Sequence, residues 1–326
     1  MRTRKLGSGG PELSVIGYGS WEAGGTDWGP NESDAAVIRS IHAALDEGVD
    51  WIDTAEVYGN GVAETLVGRA VADRRDGVVI ASKVAPADEG SGFTPDQVRG
   101  ACDASLSRLG LDHLDLYQLH WPDMFGTPIE DTWGTMAELQ DAGKVRAIGV
   151  SNFDQALIER CEPIRHVDSL QQQFSMIELS DRDLIRWCGE HGTGVLSYSP
   201  LGAGLLTGAI GPGWTAPEGD WRGGDTSGPF ADLDTTLAFV DRVRATGTCW
   251  ASRSRSSRSR GTSRSRASRP RSRGAAAPST CARTRRPETS SSTRPPSRNS
   301  RRCFLPDPPA TPRACARSRG SGARCP

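Results

Sequence analysis

Residues 78–120 read VVIASKVAPADEGSGFTPDQVRGACDASLSRLGLDHLDLYQLH, two apolar runs with a helix-like segment between them. VVIASKV at the start and LDLYQLH at the end have the length and composition of buried strands. Between them Thr94 stands at a preferred N-cap position, Pro95 follows at the first helical position, and Gly110 is a stop signal. The stretch therefore predicts a strand, a helix and a second strand parallel to the first.

The same alternation continues along the first 245 residues. Five more runs have the character of buried strands: VIGYGSW from Val15, WIDTAE from Trp51, VRAIGVSN from Val145, SLQQQF from Ser169 and GVLSYSP from Gly194. Seven strand–helix units at intervals of about 25 to 35 residues favour a (β/α)8 TIM barrel with right-handed crossovers over an open doubly wound sheet, although one unit is missing. No GxGxxG motif follows the first run, which argues against a Rossmann domain.

Polar and ionisable residues occur where these strands end. In a (β/α)8 barrel the carboxyl ends of the strands carry the functional residues. Eight side chains fall there: Asp53, Tyr58, Lys83, His120, Ser151, Asn152, Gln171 and Tyr198. A lysine inside an apolar strand needs a counter-charge, which Asp53 can supply. Because a neighbouring ammonium favours the ionised phenol, we expect Lys83 to make Tyr58 a better proton donor near neutral pH.

Each of these residues also has a structural explanation. Asp53 and Lys83 can form a buried ion pair without catalysis, His120 can be a core histidine, and Tyr198 can pack at the barrel rim. In the functional interpretation, His120 donates a hydrogen bond to a substrate oxygen or tunes the phenol of Tyr58. That interpretation is favoured because the residues form an ordered set at successive strand ends.

The motifs WIDTAEVYGNG, ASKV, DLYQLHWPD, IGVSNF and SYSPLGAGLLTG occur in this order. The chain thereby resembles the aldo-keto reductase family over roughly residues 2–245. The resemblance implies a barrel enzyme that moves a hydride from NADPH to a carbonyl carbon, giving an alcohol in a reversible reaction. It implies a catalytic tetrad of Asp53, Tyr58, Lys83 and His120, with Tyr58 as the general acid.

The resemblance also implies binding residues. The positions that hold the nicotinamide carboxamide are matched by Ser151, Asn152 and Gln171, and the position that stacks on its ring is matched by Tyr198. The loop that binds the pyrophosphate is matched in part by Ser199 and Leu201. Trp21 and Trp121 match substrate-pocket positions. The loops WEAGGTDWGPNES and GPGWTAPEGDWRGG are expected to shape the same pocket, with no signature that names the substrate.

Charge divides the chain into two parts. From Cys249 onward it contains 20 Arg, no Lys and two acidic residues, a net charge of +18. The residues before Cys249 contain 19 basic and 38 acidic side chains, a net charge of −19. We therefore place a barrel domain at residues 1–247 and a low-complexity tail at 248–326.

The tail allows two interpretations. As written, WASRSRSSRSRGTSRSR and its continuation are typical of a disordered segment, and their charge would bind nucleic-acid phosphates nonspecifically. The alternative is a one-base slip of the reading frame just before Thr248. In the shifted frame residues 248–262 can be read as the apolar sequence HVLGVAVAQLALAWN, and two later segments resemble the end of an aldo-keto reductase. We favour the slip.

The slip would replace the eighth strand, the loop that grips the adenosine 2′-phosphate, and the last helix. We therefore expect an incomplete barrel with unpaired edges at the first and seventh strands, marginal stability and a disordered tail. We also expect the activity of the chain as written to be impaired.

Other features restrict location and partners. MRTRKLGSGGPEL lacks the apolar region of a secretion signal, and no apolar run reaches membrane-spanning length. Cys102, Cys161 and Cys188 have the spacing of neither a disulfide framework nor a zinc site. We expect a cytoplasmic protein with a small carbonyl substrate and without metal, membrane contact or a specific nucleic-acid partner. An aldo-keto-reductase-like regulatory subunit without enzymatic activity is the alternative.

Overall fold

The computed structural model describes residues 1–246 except 30, 32, 88–91 and 226–227. Everything predicted for residues 248–326, including disorder, the shifted frame and the boundary at 247, lies outside the described residues.

Seven parallel strands form a curled sheet in which each strand pairs with its neighbour in the chain. They are β3 (Tyr18–Gly19), β4 (Trp51–Asp53), β5 (Val79–Val84), β6 (Leu114–Leu119), β7 (Val145–Ser151), β8 (Ser169–Gln173) and β9 (Gly194–Tyr198). Before them, β1 (Thr3–Lys5) and β2 (Glu12–Ser14) form an antiparallel hairpin that the sequence did not predict. All seven predicted strands are confirmed, and the described residues form a curled half-barrel of seven units, consistent with a (β/α)8 fold.

A helix follows each strand of the sheet: α1 (Asp34–Asp46), α2 (Val62–Val71), α3 (Pro95–Leu109), α4 (Ile129–Asp141), α5 (Gln155–Cys161), α6 (Arg182–His191) and α7 (233–246). The predicted signals begin and end α3: the Thr94 hydroxyl accepts from the Gln97 amide at 3.3 Å, and Gly110 takes a left-handed conformation, with φ of 68°. No described helix has the length and apolar composition needed to cross a bilayer.

The alternation of side chains along β5 separates core from site. Ile80 and Val84 face the helices and pack in the main apolar core, whereas Ala81 packs inside the sheet against Leu116 and Ala147. Lys83 shares the inner face with Ala81, because side chains two residues apart lie on the same side of a strand. The interior of the sheet is therefore apolar at its amino end and ionisable at its carboxyl end.

The curled sheet has two edges among the described residues. β3 pairs only with β4, and β9 pairs only with β8. β3 is two residues long, so its register with β4 is limited to Tyr18 opposite Ile52 and Gly19 opposite Asp53.

Candidate active site

A buried ion pair lies at the carboxyl end of β4 and β5. Lys83 is fully buried, and its Nζ lies 2.7 Å from Oδ2 of Asp53, whose side chain is 14% exposed. Lys83 also donates to the Thr54 carbonyl at 3.0 Å. Burial alone would lower the pKa of Lys83, but Asp53 and Tyr58 outweigh it and the pKa is raised. The ammonium therefore stays charged at neutral pH.

Tyr58 completes the group from the loop after β4. Lys83 Nζ donates to the phenol oxygen at 3.1 Å, and it lies 4.9 Å from the centre of the ring. Loss of water around the phenol raises its pKa, while Lys83 lowers it and Asp53 raises it further; the net shift is upward. Lys83 therefore acts on Tyr58 in the expected direction, but burial outweighs the attraction of the ammonium, and the phenol as a whole is less acidic than a free tyrosine.

His120 follows β6, next to Tyr58. The two ring centres are 5.6 Å apart and the rings are nearly perpendicular. Burial, together with the charge of Lys83, lowers the pKa of His120 to about 2. The imidazole is therefore neutral at physiological pH, with one N–H donor and one acceptor. Among the described residues its Nδ1 has no hydrogen-bond partner.

The predicted nicotinamide-binding residues form a second group beside the tetrad. Asn152 donates to the His120 carbonyl at 2.9 Å and to Ser151 Oγ at 3.1 Å. It accepts a hydrogen bond from the Tyr198 hydroxyl at 2.8 Å. Asn152 itself adopts a left-handed backbone conformation with φ of 62°, which asparagine tolerates better than most residues. This group therefore fixes Tyr198 relative to His120.

Gln171 connects the two groups. Its Nε2 donates to Oδ1 of Asp53 at 2.7 Å, although the residues are 118 positions apart in the chain. Ser199 and Leu201 lie farther out, in the loop after β9, where each carbonyl accepts a hydrogen bond from a glycine of the same loop. Neither belongs to the hydrogen-bonded network of the tetrad.

The two predicted pocket tryptophans contact the tetrad. Trp21 stacks on Tyr58, with ring centres 6.3 Å apart. Trp121 stacks on His120, with ring centres 3.8 Å apart, and it is 40% exposed. Both therefore border the space beside the phenol and the imidazole.

Residues 15–239 match the model of the aldo/keto reductase family, which covers most of the chain and includes the whole tetrad. The chain belongs to the aldo/keto reductase family. An NADH-specific methylglyoxal reductase of Escherichia coli (strain K12) is 34% identical over 229 residues, 64% of this chain and 70% of its own.

Solved structures show the same fold. A glycerol dehydrogenase from Gluconobacter oxydans superposes with a TM-score of 0.65 at 34% identity, covering 74% of this chain and 76% of its own. An aldo-keto reductase from Klebsiella pneumoniae in complex with NADPH gives a TM-score of 0.55 at 32% identity, covering 65% of this chain and 72% of its own.

The structure adds two tryptophans of this reductase that the sequence reading did not assign. Trp221 stacks on Trp21 with ring centres 5.8 Å apart, and the edge of Trp28 meets both rings. They come from the two loops that were expected to shape the pocket. The ring contacts join the two loops, and the Trp221 amide adds a hydrogen bond between them by donating to the Asp27 carbonyl at 2.7 Å.

Arg222 stabilises this contact between the two loops of the reductase. Its guanidinium lies over the rings of Trp28 and Trp214, at 4.7 and 5.0 Å. It pairs with Asp220 through Nε at 2.8 Å and donates to the Ala203 carbonyl at 3.1 Å. We call Trp21, Trp28 and Trp221 the aromatic wall. The signal in the sequence was the density of tryptophan in both loops, but their proximity depends on the fold.

Metal and thiol chemistry find no support among the described residues. They contain no group of three His, Cys, Asp or Glu side chains that could hold a metal ion. Cys102, Cys161 and Cys188 are free and buried, and burial raises the pKa of the first two to about 12. Thiols in that state are poor nucleophiles.

Proposed function

We propose that this reductase converts an aldehyde or ketone to an alcohol with NADP(H), and that Tyr58 donates the proton. The observation that carries the proposal is the contact between the Tyr58 phenol and the charged, fully buried Lys83 at the carboxyl end of the sheet. General acids act from hydrogen-bond distance, and this end of a barrel is where catalytic side chains converge.

The four side chains divide the work of proton donation. Tyr58 holds its proton at neutral pH, as an ordinary phenol does, and burial raises its pKa further. When the phenol gives up that proton, Lys83 stabilises the resulting phenolate by its positive charge, and Asp53 keeps Lys83 in place and charged. Neutral His120 offers a ring N–H to the carbonyl oxygen without competing as an acid.

The nicotinamide half of the cofactor fits the residues present. A carboxamide both donates and accepts hydrogen bonds, and the amides of Asn152 and Gln171 do the same. Tyr198, held by Asn152, offers a ring for stacking. When bound, the reduced nicotinamide supplies the hydride. The NADPH complex of the Klebsiella relative supports NADP(H), while the E. coli relative is NADH-specific, so both cofactors belong in the test.

We also propose that the chain as written binds the adenosine half weakly, because the residues expected to grip the 2′-phosphate would follow residue 247. Loss of several charge-assisted hydrogen bonds, about 1.5–3 kcal/mol each, weakens affinity by orders of magnitude. Reduced nicotinamide mononucleotide lacks that half. We expect kcat/KM for NADPH to exceed that for the mononucleotide by less than about tenfold. A preference of a hundredfold or more would contradict this proposal.

The proposed frame slip has its own test in the gene. Sequencing across the codons for residues 240–255 should reveal one base too many or too few relative to close relatives. An uninterrupted frame with genuine Arg and Ser codons would refute the slip. The chain with its frame restored should gain affinity for NADPH.

The experiment for the proposed function is carbonyl-dependent oxidation of NADPH and of NADH by the purified chain, at high cofactor concentration, with the alcohol product identified. We expect a product carrying one hydrogen from the cofactor at the former carbonyl carbon. Cofactor binding without turnover of any aldehyde would contradict the enzyme proposal and favour a regulatory subunit. A small-molecule carbonyl substrate and a cytoplasmic location are part of the same proposal.

A further inference from the structure

One hydrogen-bonded chain runs across the interior of the sheet from Gln171 to Tyr58. Gln171 Nε2 donates to Oδ1 of Asp53 at 2.7 Å, and Lys83 Nζ donates to the other carboxylate oxygen at the same distance. Lys83 then donates to the phenol of Tyr58 at 3.1 Å. Asp53 therefore has one donor on each oxygen, and one of them is the amide that the family resemblance assigns to the cofactor.

The strands that carry this contact are far apart in the sheet. Gln171 lies on β8 and Asp53 on β4, with β5, β6 and β7 between them in the strand order. Their hydrogen bond therefore spans the curled interior rather than joining neighbours. Gln171 is 4% exposed and Lys83 fully buried, so the contact lies where water screens charges poorly.

We propose that Gln171 is a positioning residue that offsets part of the charge of Asp53 and so makes Tyr58 a stronger acid than it would be beside an uncompensated carboxylate, in addition to any contact it makes with the nicotinamide. An amide nitrogen has two N–H groups and the amide oxygen accepts, so Gln171 can donate to Asp53 and still hold a carboxamide. This role rests on the proposed function, in which Tyr58 is the acid.

The sign of the effect follows from the groups that face Tyr58. Lys83, from β5, favours the phenolate, whereas Asp53, from β4, opposes it. His120, after β6, is neutral, and Tyr198, at the end of β9, is a protonated phenol whose pKa burial raises to about 12. Removing the amide of Gln171 leaves the charge of Asp53 less compensated. The pKa of Tyr58 then rises, and the phenol becomes a weaker acid.

The experiment reads the phenol itself and needs no turnover. The full chain is produced with 3-fluorotyrosine, which brings the phenol pKa into a range that folded protein tolerates. The fluorine resonance of position 58 is assigned by its loss in Tyr58→Phe and followed against pH. The variants are Gln171→Leu and Gln171→Met, with Ser169→Ala as the matched control. Ser169 lies on the same strand as Gln171 and is likewise buried, and its hydroxyl donates to Gln118 rather than to the chain that joins Gln171 to Tyr58.

We expect the pKa at position 58 to rise by about half a unit or more in Gln171→Leu and Gln171→Met, and to stay unchanged in Ser169→Ala. No rise in any folded Gln171 variant, or an equal rise in Ser169→Ala, overturns the proposal. Two apolar variants are included so that one misfolded protein does not decide the result.

Kinetics separate this proposal from the function on which it rests. At saturating cofactor, the pH at which kcat falls to half on the alkaline side should be higher in the Gln171 variants than in the parent chain, and unchanged in Ser169→Ala. If the parent chain turns over no carbonyl, the proposed function fails, yet the fluorine titration still decides whether Gln171 controls the phenol.

Discussion

Ser82 and Lys83, adjacent on β5, belong to two buried polar networks on opposite faces of the strand. Ser82 points toward the helices and donates to Glu64 at 2.5 Å, and Glu64 accepts from Arg108 Nε at 2.6 Å. Lys83 points inward to Asp53 and Tyr58. Each network contains a fully buried charge, on Glu64 in one and on Lys83 in the other.

The two networks differ in how they end. Both carboxylate oxygens of Glu64 accept from protein donors, and Arg108 also donates to Ser105 at 3.2 Å, so the outer network links α2, α3 and β5. The inner network ends at the Tyr58 phenol, beside His120, whose Nδ1 has no partner in the described part of the chain. A buried ion pair on its own does not indicate catalysis; donors that face a pocket do.

The largest expected effect is on kcat, which should fall far more when the inner network loses its cation than when the outer network does. Lys83→Met removes the charge that stabilises the phenolate of Tyr58 and should lower kcat about a thousandfold. Arg108→Met removes the cation of the outer network and should lower kcat less than about threefold at equal folded concentration. Steady-state kinetics of both variants, with folding checked by circular dichroism, make the comparison. Similar losses of kcat in two folded proteins would contradict it.

Breaking the outer network should instead lower the stability of the fold and leave the activity of folded molecules nearly unchanged. Glu64→Leu leaves Ser82 and Arg108 without their buried acceptor and should lower the free energy of unfolding by about 3 kcal/mol. Urea unfolding gives that value, and kcat per folded molecule should stay within about twofold of the parent. An unchanged midpoint, or loss of activity in protein that remains fully folded, argues against a structural role for the outer network.

A smaller effect is expected from the aromatic wall. Trp221→Ala removes the ring that stacks on Trp21, which in turn stacks on Tyr58. We expect KM for the carbonyl substrate to rise about three- to tenfold with little change in kcat, since binding contact is lost and the acid remains. Trp187→Ala on α6, which stacks on His191, is the control and should change neither constant. A fall in kcat with KM unchanged would place Trp221 in the chemistry instead.

The smallest expected effect is the response to pH. Tyr58, with a pKa raised above its ordinary value of 10, stays protonated at neutral pH, and His120, with a pKa of about 2, stays neutral. The rate of reduction at saturating substrate should therefore be flat from about pH 5 to 8 and fall only at high pH, as Tyr58 loses its proton. A midpoint between about pH 6 and 7 would show that a group with the pKa of an ordinary histidine controls the step.

Part of this molecule could be predicted from sequence because its signals are local. Lys83 stands at the end of an apolar run, and Asp53 and His120 stand at the ends of two others, a pattern that indicates one functional edge of the sheet. The cap of α3 at Thr94 was predicted for the same reason, since it depends on three neighbouring residues.

Other features depend on distance across the fold. The ammonium neighbour that lowers the pKa of Tyr58 is visible in a motif, but the larger loss of water around the phenol, which raises that pKa, is not. The bond between Gln171 and Asp53, and the approach of Trp28 to Trp221, join residues far apart in the chain. The β1–β2 hairpin was missed because each of its strands is three residues long and β1 is exposed along its whole length.

The central claim is that Tyr58 donates the proton, and one pair of variants tests it most directly. Tyr58→Phe and Tyr198→Phe each remove a single hydroxyl group beside the same pocket. With one aldehyde and a high concentration of NADPH, kcat should fall about a hundred- to ten-thousandfold in Tyr58→Phe and less than tenfold in Tyr198→Phe. Turnover by folded Tyr58→Phe at the rate of the parent chain would contradict the account.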